Sequence, residues 1–262
     1  MIPITHTVAQ VLHLEHVFLS IRICGIFVSF KFYSVILAMK QTFQILQQKQ
    51  LKMFMRNGIE NFIERNNGTY NKYKNISENT ISKYISLFKG RFPEELIWIW
   101  RNMGAGVFED GYLQIVDPEE YDFAFDYIDK LLEPCIIWGI TALGDLLLWE
   151  GNDNWTIAPD EGNRAAFLNI RNFQKSMLGH RVNVFLNILI NDKDDLIDTY
   201  KAKPYLDVKG KLPALQYGQC YGYVPALALG GKASNKNLQV VDAKSYIDII
   251  GQAVGKIIDL EG

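Results

Sequence analysis

The sequence has few of the residue types from which catalytic and metal sites are usually built. Only three cysteines and four histidines occur in 262 residues, and they form neither a CxxC pair nor a Cys/His cluster with metal-ligand spacing. The cysteines, Cys24, Cys135 and Cys220, are odd in number and widely spaced, which disfavours a disulfide framework and favours a reducing compartment. We therefore expect a cytoplasmic protein.

A long uninterrupted hydrophobic run is also missing. Residues 8–39 are rich in aliphatic and aromatic side chains, but Glu15, Arg22 and Lys31 interrupt them, and a membrane-spanning helix needs about 20 consecutive, mainly apolar residues. The same stretch lacks a basic start followed by a clean apolar run and a small-residue cleavage site. We expect neither a signal peptide nor a membrane partner.

Residues 1–52 differ in composition from the rest of the chain, and we interpret them as an atypical N-terminal extension. Met39, Met53 and Met55 lie near its end, so one expectation is that the native start is one of these residues. The alternative is an additional helix that packs on the domain. Since 48% of all residues are hydrophobic, the chain has enough apolar side chains to form a core without covalent cross-links.

Positive charge is nearly absent from the middle of the chain. Residues 102–163 contain one basic residue, Lys130, against 14 acidic ones, a net charge of −13, whereas residues 1–101 carry +7 and residues 164–262 carry +4. Such a segment repels phosphate and attracts basic partners. We therefore expect a basic protein partner and no direct binding of nucleic acid.

The local patterns predict an α+β fold with a small mixed or antiparallel sheet and flanking helices. Ser77 is placed to cap a helix that ends at Gly90, and Pro93 opens a second helix that ends at Gly104. Other patterns predict strands at 112–116, within 136–149, at 154–158 and at 166–170, and helices at 119–130, 182–190 and 243–258.

No set of residues has the arrangement of a catalytic site. A nucleophile pair formed by Cys220 and His180 is conceivable, but a cysteine beside aromatic residues is typical of core packing. The adjacent Glu119 and Glu120 stand at the start of a predicted helix, where acids are favoured for structural reasons. Two glycine-rich stretches match neither a P-loop nor a dinucleotide fingerprint. We expect no enzymatic activity, no metal and no cofactor.

One C-terminal segment resembles a known family. Residues 218–231 read Gly-Gln-Cys-Tyr-Gly-Tyr-Val-Pro-Ala-Leu-Ala-Leu-Gly-Gly. This run resembles the C-terminal signature of the type VI secretion immunity proteins that neutralise DNase effectors, and residues 237–242 continue the similarity. At the position of Gln219 that family commonly has an acidic residue, so this chain departs from the pattern there.

Four upstream segments resemble the GAD-like domain of the same family. They are Phe92 to Leu96, Gly111 to Leu113, Asp117 to Tyr121, and Thr141 to Trp149. With the C-terminal signature, the resemblance covers roughly residues 70–257. It implies a GAD-like α+β domain at 53–175 and a helical C-terminal immunity-type domain at 176–262.

The resemblance implies a bacterial immunity protein that binds and neutralises a cognate toxin, a DNase effector. The acidic segment favours the same function independently, because a DNA-cleaving toxin presents a basic cleft to phosphate. Two alternatives stay open: a SUKH-type adaptor or regulatory protein whose partner is not a toxin, and a hydrolase that uses Cys220 and His180. The oligomeric state is not indicated by the sequence.

The candidate partner-binding residues combine acidic and aromatic side chains. They are Asp117, Glu119, Glu120, Asp122, Asp126, Asp129, Tyr221 and Tyr223. The competing interpretation is that the carboxylates form an ordinary solvated surface and that the tyrosines pack the two halves of the protein together. Gly222, Pro225, Gly230 and Gly231 are expected to fix a tight backbone path in the signature.

Overall fold

The computed structural model describes residues 59–129, 131–151, 163–182, 185–186 and 193–256. The N-terminal extension 1–52, the strand expected at 154–158 and most of the helix expected at 182–190 lie outside these ranges. Within them, no helix is both long enough and apolar enough to cross a membrane.

Seven strands form one antiparallel sheet in which each strand pairs with its neighbour in the sequence. The strands are β1 (Asn71–Lys74), β2 (Ala105–Phe108), β3 (Leu113–Ile115), β4 (Cys135–Thr141), β5 (Leu146–Glu150), β6 (Arg164–Asn169) and β7 (Gln174–Gly179). The α+β class with an antiparallel sheet is thus confirmed, although the sheet is larger than the small one expected.

The described helices lie before, between and after these strands. They are α1 (Glu78–Leu87), α2 (Glu94–Asn102), α3 (Lys193–Asp198), α4 (Lys203–Val208) and α5 (Ala243–Val254), and residues 59–66 are also helical. A separate two-stranded antiparallel ribbon joins β8 (Gln219–Tyr223) to β9 (Leu238–Asp242). The expectation of a helical C-terminal part is therefore only partly correct, because β-branched and aromatic residues there form strands.

The predicted helix ends are set by local signals. The Ser77 hydroxyl accepts a hydrogen bond from the Thr80 amide at 3.0 Å and so caps α1. Pro93 stands at the N-cap position of α2, with two glutamates in the first turn. Within α2, Trp100 is buried and Trp98 is 37% exposed. This difference is expected, because residues two positions apart in a helix lie on different faces.

The prediction of an α-helix at 119–130 is wrong. Two short 3₁₀ segments, Pro118–Glu120 and Asp122–Tyr127, take its place. The backbone leaves the helical conformation at Tyr121, whose ring is fully buried in the core. Burial of this ring outweighs the helical pattern that the sequence shows.

The inner strands β2 to β6 are buried along nearly their whole length, which shows that the sheet is covered on both faces there. Along β5, Leu147 and Trp149 join one core with residues of α1, α2 and α4. The alternate residues Leu146 and Leu148 join a second core with residues of α5. The C-terminal helix α5 therefore packs on one face of the seven-stranded sheet.

Candidate protein-interaction surface

The acidic segment is largely neutralised within the fold. Seven of its eleven described carboxylates form ion pairs with basic residues from the flanking segments that carry the positive charge. The pairs are Glu109–Arg65, Asp110–Lys209, Asp117–Lys74, Glu119–Lys83, Glu120–Lys74, Glu120–Lys244, Asp145–Arg171, Glu150–Arg164 and Glu150–Lys175. Among the described residues, the acidic excess of this segment therefore does not become one uncompensated negative face.

Lys74 and Glu120 form the centre of the network nearest the candidate residues. The Lys74 ammonium lies 2.7 Å from an Asp117 carboxylate oxygen and 2.6 Å from one of Glu120. Glu120 also lies 3.3 Å from the Lys244 ammonium of α5, and it accepts a hydrogen bond from the Tyr217 hydroxyl at 3.1 Å. Three of the six candidate carboxylates, Asp117, Glu119 and Glu120, thus tie β1, α1 and α5 to the 3₁₀ segments.

The ionisation of this network follows from its contacts. Burial by itself would raise the pKa of Glu120, but hydrogen bonds and attraction from Lys74 and Lys244 outweigh it and lower that pKa. For Lys74, burial acts to lower the pKa, and the hydrogen bonds that its ammonium donates to Asp117 and Glu120 outweigh burial and raise the pKa. Both residues are therefore stabilised in their charged forms.

The other three candidate carboxylates have a different setting. Asp122 and Asp126 are exposed and Asp129 is half-buried. Partial burial raises the pKa of Asp122; Lys83 opposes the shift, while repulsion from Glu119 and Asp117 adds to it. Of the six candidate carboxylates, Asp122, Asp126 and Asp129 are therefore the ones that form no ion pair within the described part of the chain.

We expect Glu120→Gln to lower the free energy of unfolding at pH 7 by up to about 1 kcal/mol, since water partly screens this pair. A lowered pKa stabilises the fold above the usual Glu value of 4.5, and this contribution is lost as the pH falls through the folded-state pKa. Urea titrations at pH 7 and pH 3.5 should show the difference from wild type shrinking at the lower pH. The exposed Glu133, replaced in the same way, is the control; a pH-independent difference at Glu120 would contradict the ion-pair account.

The two candidate tyrosines are buried in the first core. Both Tyr221 and Tyr223 are 4% exposed. The Tyr221 hydroxyl donates to the Pro213 carbonyl oxygen at 2.8 Å, and the Tyr223 amide donates to the Tyr246 hydroxyl at 3.0 Å. Their side chains are engaged inside the protein in this conformation, and their role as partner contacts stays a prediction.

The four residues expected to fix the backbone path of the signature lie where a side chain would not fit or where the chain turns. We define residues 224–237 as the signature loop, which connects β8 to β9. A Cβ atom on Gly231 would lie 1.9 Å from the Pro225 carbonyl oxygen, and one on Gly222 would lie 2.8 Å from the Tyr246 ring. Gly230 has a left-handed backbone with φ of 82°.

The possible nucleophile pair has no catalytic geometry. Cys220 is fully buried in the second core, and this burial raises the pKa of its thiol well above the usual value. His180 instead contacts the Asn163 carbonyl oxygen through Nδ1 at 2.9 Å. Among the described residues, no group of three or more His, Cys, Asp or Glu side chains could hold a metal ion.

Sequence reasoning missed the residue that joins the seven-stranded sheet to the C-terminal signature. Gln114 of β3 is fully buried, donates to the Gln219 carbonyl oxygen at 2.6 Å and accepts from the Gly218 amide at 2.8 Å. The only sign of Gln114 in the sequence is that a polar residue stands within the apolar run Tyr-Leu-Gln-Ile-Val. A hydrogen bond of 2.7 Å from the Tyr221 amide to the Ala142 carbonyl oxygen adds to the same junction.

We expect Gln114→Leu to lower the free energy of unfolding by about 1–3 kcal/mol for each main-chain group that it leaves buried and unpaired. Leucine is similar in size to glutamine but lacks its amide group, so the loss would come from hydrogen bonding. Urea unfolding followed by tryptophan fluorescence measures it. Gln239→Leu is the control, because Gln239 lies on β9 and is exposed. Equal stability of the two variants would mean that the junction does not depend on Gln114.

Two family matches cover the two parts that this junction joins. Residues 57–158 match the family described as GAD-like domain. Residues 180–254 match the family described as T6SS immunity protein Tdi1, C-terminal. Together these matches support an immunity protein of the type VI secretion system, a class whose members bind a cognate toxin.

The fold also resembles a solved structure, the crystal structure of Atu4351 from Agrobacterium tumefaciens. The two share 24% sequence identity with a TM-score of 0.56, and the match covers 74% of this chain and 88% of the other. At this identity the similarity shows a shared fold. No curated protein matches the sequence.

Proposed function

We propose that this chain is an immunity protein that acts in the cytoplasm, where it binds and neutralises a DNase toxin delivered by a type VI secretion system. The observation that carries the proposal is the pair of family matches, GAD-like at 57–158 and Tdi1 C-terminal at 180–254, on one chain in this order. The buried contacts of Gln114 with Gly218 and Gln219 support their action as one unit.

Neutralisation in this proposal is by binding rather than by catalysis. The Cys220 thiol is buried and is held in its neutral form by a raised pKa, so it is not suited to act as a nucleophile. Inhibition then requires that the complex form quickly and persist, and that the bound toxin be unable to act on its substrate.

The test is co-expression with the product of the neighbouring candidate toxin gene, scored by cell survival and by integrity of the chromosomal DNA. We expect survival with wild type and killing with an empty vector. If the toxin kills without degrading DNA and this chain still protects the cells, the immunity function holds and the DNase target is excluded. Killing that this chain does not prevent would contradict the proposal.

The variant Cys220→Ser with His180→Gln separates binding from catalysis. We expect it to protect as well as wild type, because neither residue has a catalytic role in the proposal. Circular dichroism shows whether the variant is folded. Loss of protection by a folded variant would favour the hydrolase alternative.

A further inference from the structure

The signature loop carries the most exposed large hydrophobic side chain of the described C-terminal part. Leu229 is 55% exposed and Val224 is 42% exposed, and Pro225 beside Val224 is exposed as well. Exposed apolar groups that lie together within a polar surrounding are typical of protein-interaction sites.

The conformation of this loop is fixed by its own hydrogen bonds. The amides of Leu229 and Gly231 both donate to the Ala226 carbonyl oxygen, at 2.9 and 3.0 Å. The Val224 amide donates to the Asn237 carbonyl oxygen at 2.9 Å, which closes the two ends of the loop. Because Ala226 is itself buried in the second core, the loop is tied to the body of the protein, and binding would cost little ordering entropy.

The charge around the loop is positive. Residues 208–241 contain four lysines and no acidic residue. Lys209 forms an ion pair with Asp110, so the positive charge of the loop itself comes from Lys232 and Lys236, which are both exposed. The nearest preceding carboxylate, Asp207, accepts hydrogen bonds from the Lys203 ammonium at 3.2 Å and from the side-chain amide of Asn235 at 3.0 Å. A partner surface that fits the loop therefore has an apolar centre and acidic side chains around it.

We propose that the signature loop docks on the toxin at an apolar patch surrounded by carboxylates. This inference rests on the proposed function and specifies the site of contact. A nuclease needs a basic cleft to hold phosphate, so an acidic patch lies outside that cleft. The loop therefore holds the toxin at a surface other than the path of its nucleic acid substrate.

The apolar contact is tested with the double variant Val224→Ser, Leu229→Ser. The probe is the purified product of the neighbouring toxin gene, and the affinity is measured by biolayer interferometry. We expect binding at least about tenfold weaker than wild type, as is typical when central apolar anchors are removed. The matched control is Met177→Ser with Ile249→Ser, since these side chains are similarly exposed, at 52% and 47%; we expect it to bind like wild type.

The charge is tested with Lys232→Glu together with Lys236→Glu. We expect a slower association rate, and a salt dependence that flattens or reverses, because the attraction becomes repulsion. Lys72→Glu with Lys256→Glu makes the same change in net charge at exposed positions outside the loop. Equal slowing by both variants would show an effect of net charge alone and would overturn the assignment to the loop.

The outcomes distinguish a failure of the loop proposal from a failure of the proposed function on which it rests. If wild type does not bind the probe, the proposed function fails and the inference fails with it. If wild type binds and both loop variants bind equally well, only the inference fails. Binding that is instead lost on neutralising Asp122, Asp126 and Asp129 to asparagine would place the contact on these carboxylates and overturn the loop proposal.

Discussion

Replacing Asp145 with alanine should lower the free energy of unfolding by about 3–5 kcal/mol, the cost typical of leaving a buried charge without its partner. Asp145 is fully buried, and its carboxylate lies 2.7 Å from Arg171, whose side chain is also buried. The carboxylate further accepts a hydrogen bond from the Ile170 amide at 3.1 Å. Loss of Asp145 would thus leave a buried guanidinium and a main-chain donor unpaired.

Arg171 connects this pair to a distant segment, which adds to the expected effect. Its guanidinium donates to the carbonyl oxygens of Tyr200 and Lys201, at 3.4 and 3.3 Å. The pair therefore links the β4–β5 turn, the β6–β7 turn and the chain that leads into α4. Without Asp145 these three segments lose a common anchor.

Urea unfolding of Asp145→Ala, Arg171→Met and the double variant measures the coupling between the two residues. We expect each single variant to be strongly destabilised and the double variant to lose less than the sum of the two losses, since no unpaired charge remains. Lys203→Met tests an exposed ion pair as control and should change the stability by less than about 1 kcal/mol. Additive losses would show that the two side chains do not stabilise each other.

The parts of the fold that could be predicted from the sequence depend on neighbours within one turn of the chain. Ser77 caps α1 through the amide three residues on, and Asp242 caps α5 through the Ser245 amide in the same way. The final helix, predicted at 243–258, is described from Ala243 to Val254. Such contacts have a fixed spacing, so their signal lies in the sequence itself.

The fate of the acidic segment could not be predicted, because its partners are far away in the chain. Lys74 and Asp117 are 43 residues apart, and Lys209 and Asp110 are 99 apart. The sequence shows an excess of each sign in different segments, but only the fold determines which charges meet. An acidic composition therefore did not imply an acidic surface.

The burial of Tyr221 and Tyr223 shows the same limit for aromatic residues. Alternation along a strand correctly indicates that the two rings share a face, and both belong to the first core. Whether that face meets solvent or another layer depends on α4, whose Tyr205 ring lies 6.4 Å from that of Tyr221. The exposed part of the signature is the loop that follows, where glycine and proline carry no periodic signal.

The second large effect is expected at Gly231, where an alanine side chain has no space. Its Cβ would lie 1.9 Å from the Pro225 carbonyl oxygen and 2.9 Å from that of Ala226, both of them backbone atoms that cannot rotate away. The signature loop would have to open, at a cost at or above the roughly 1–3 kcal/mol typical of overpacking. Because Val224 and Leu229 stand on this loop, we expect Gly231→Ala to weaken toxin binding by at least about tenfold as well.

The adjacent Gly230 provides the matched control for this prediction. No atom lies within 4 Å of its Cβ position, so Gly230→Ala meets only the strain of a left-handed backbone with φ of 82°, about 1–2 kcal/mol. We expect this variant to keep most of its affinity for the product of the neighbouring toxin gene, with wild-type circular dichroism in both proteins. If the two variants bound equally well, the fixed conformation of the loop would not be what the toxin recognises. If only Gly231→Ala binds more weakly, the toxin recognises the fixed conformation of the loop, since the two variants add the same methyl group one residue apart.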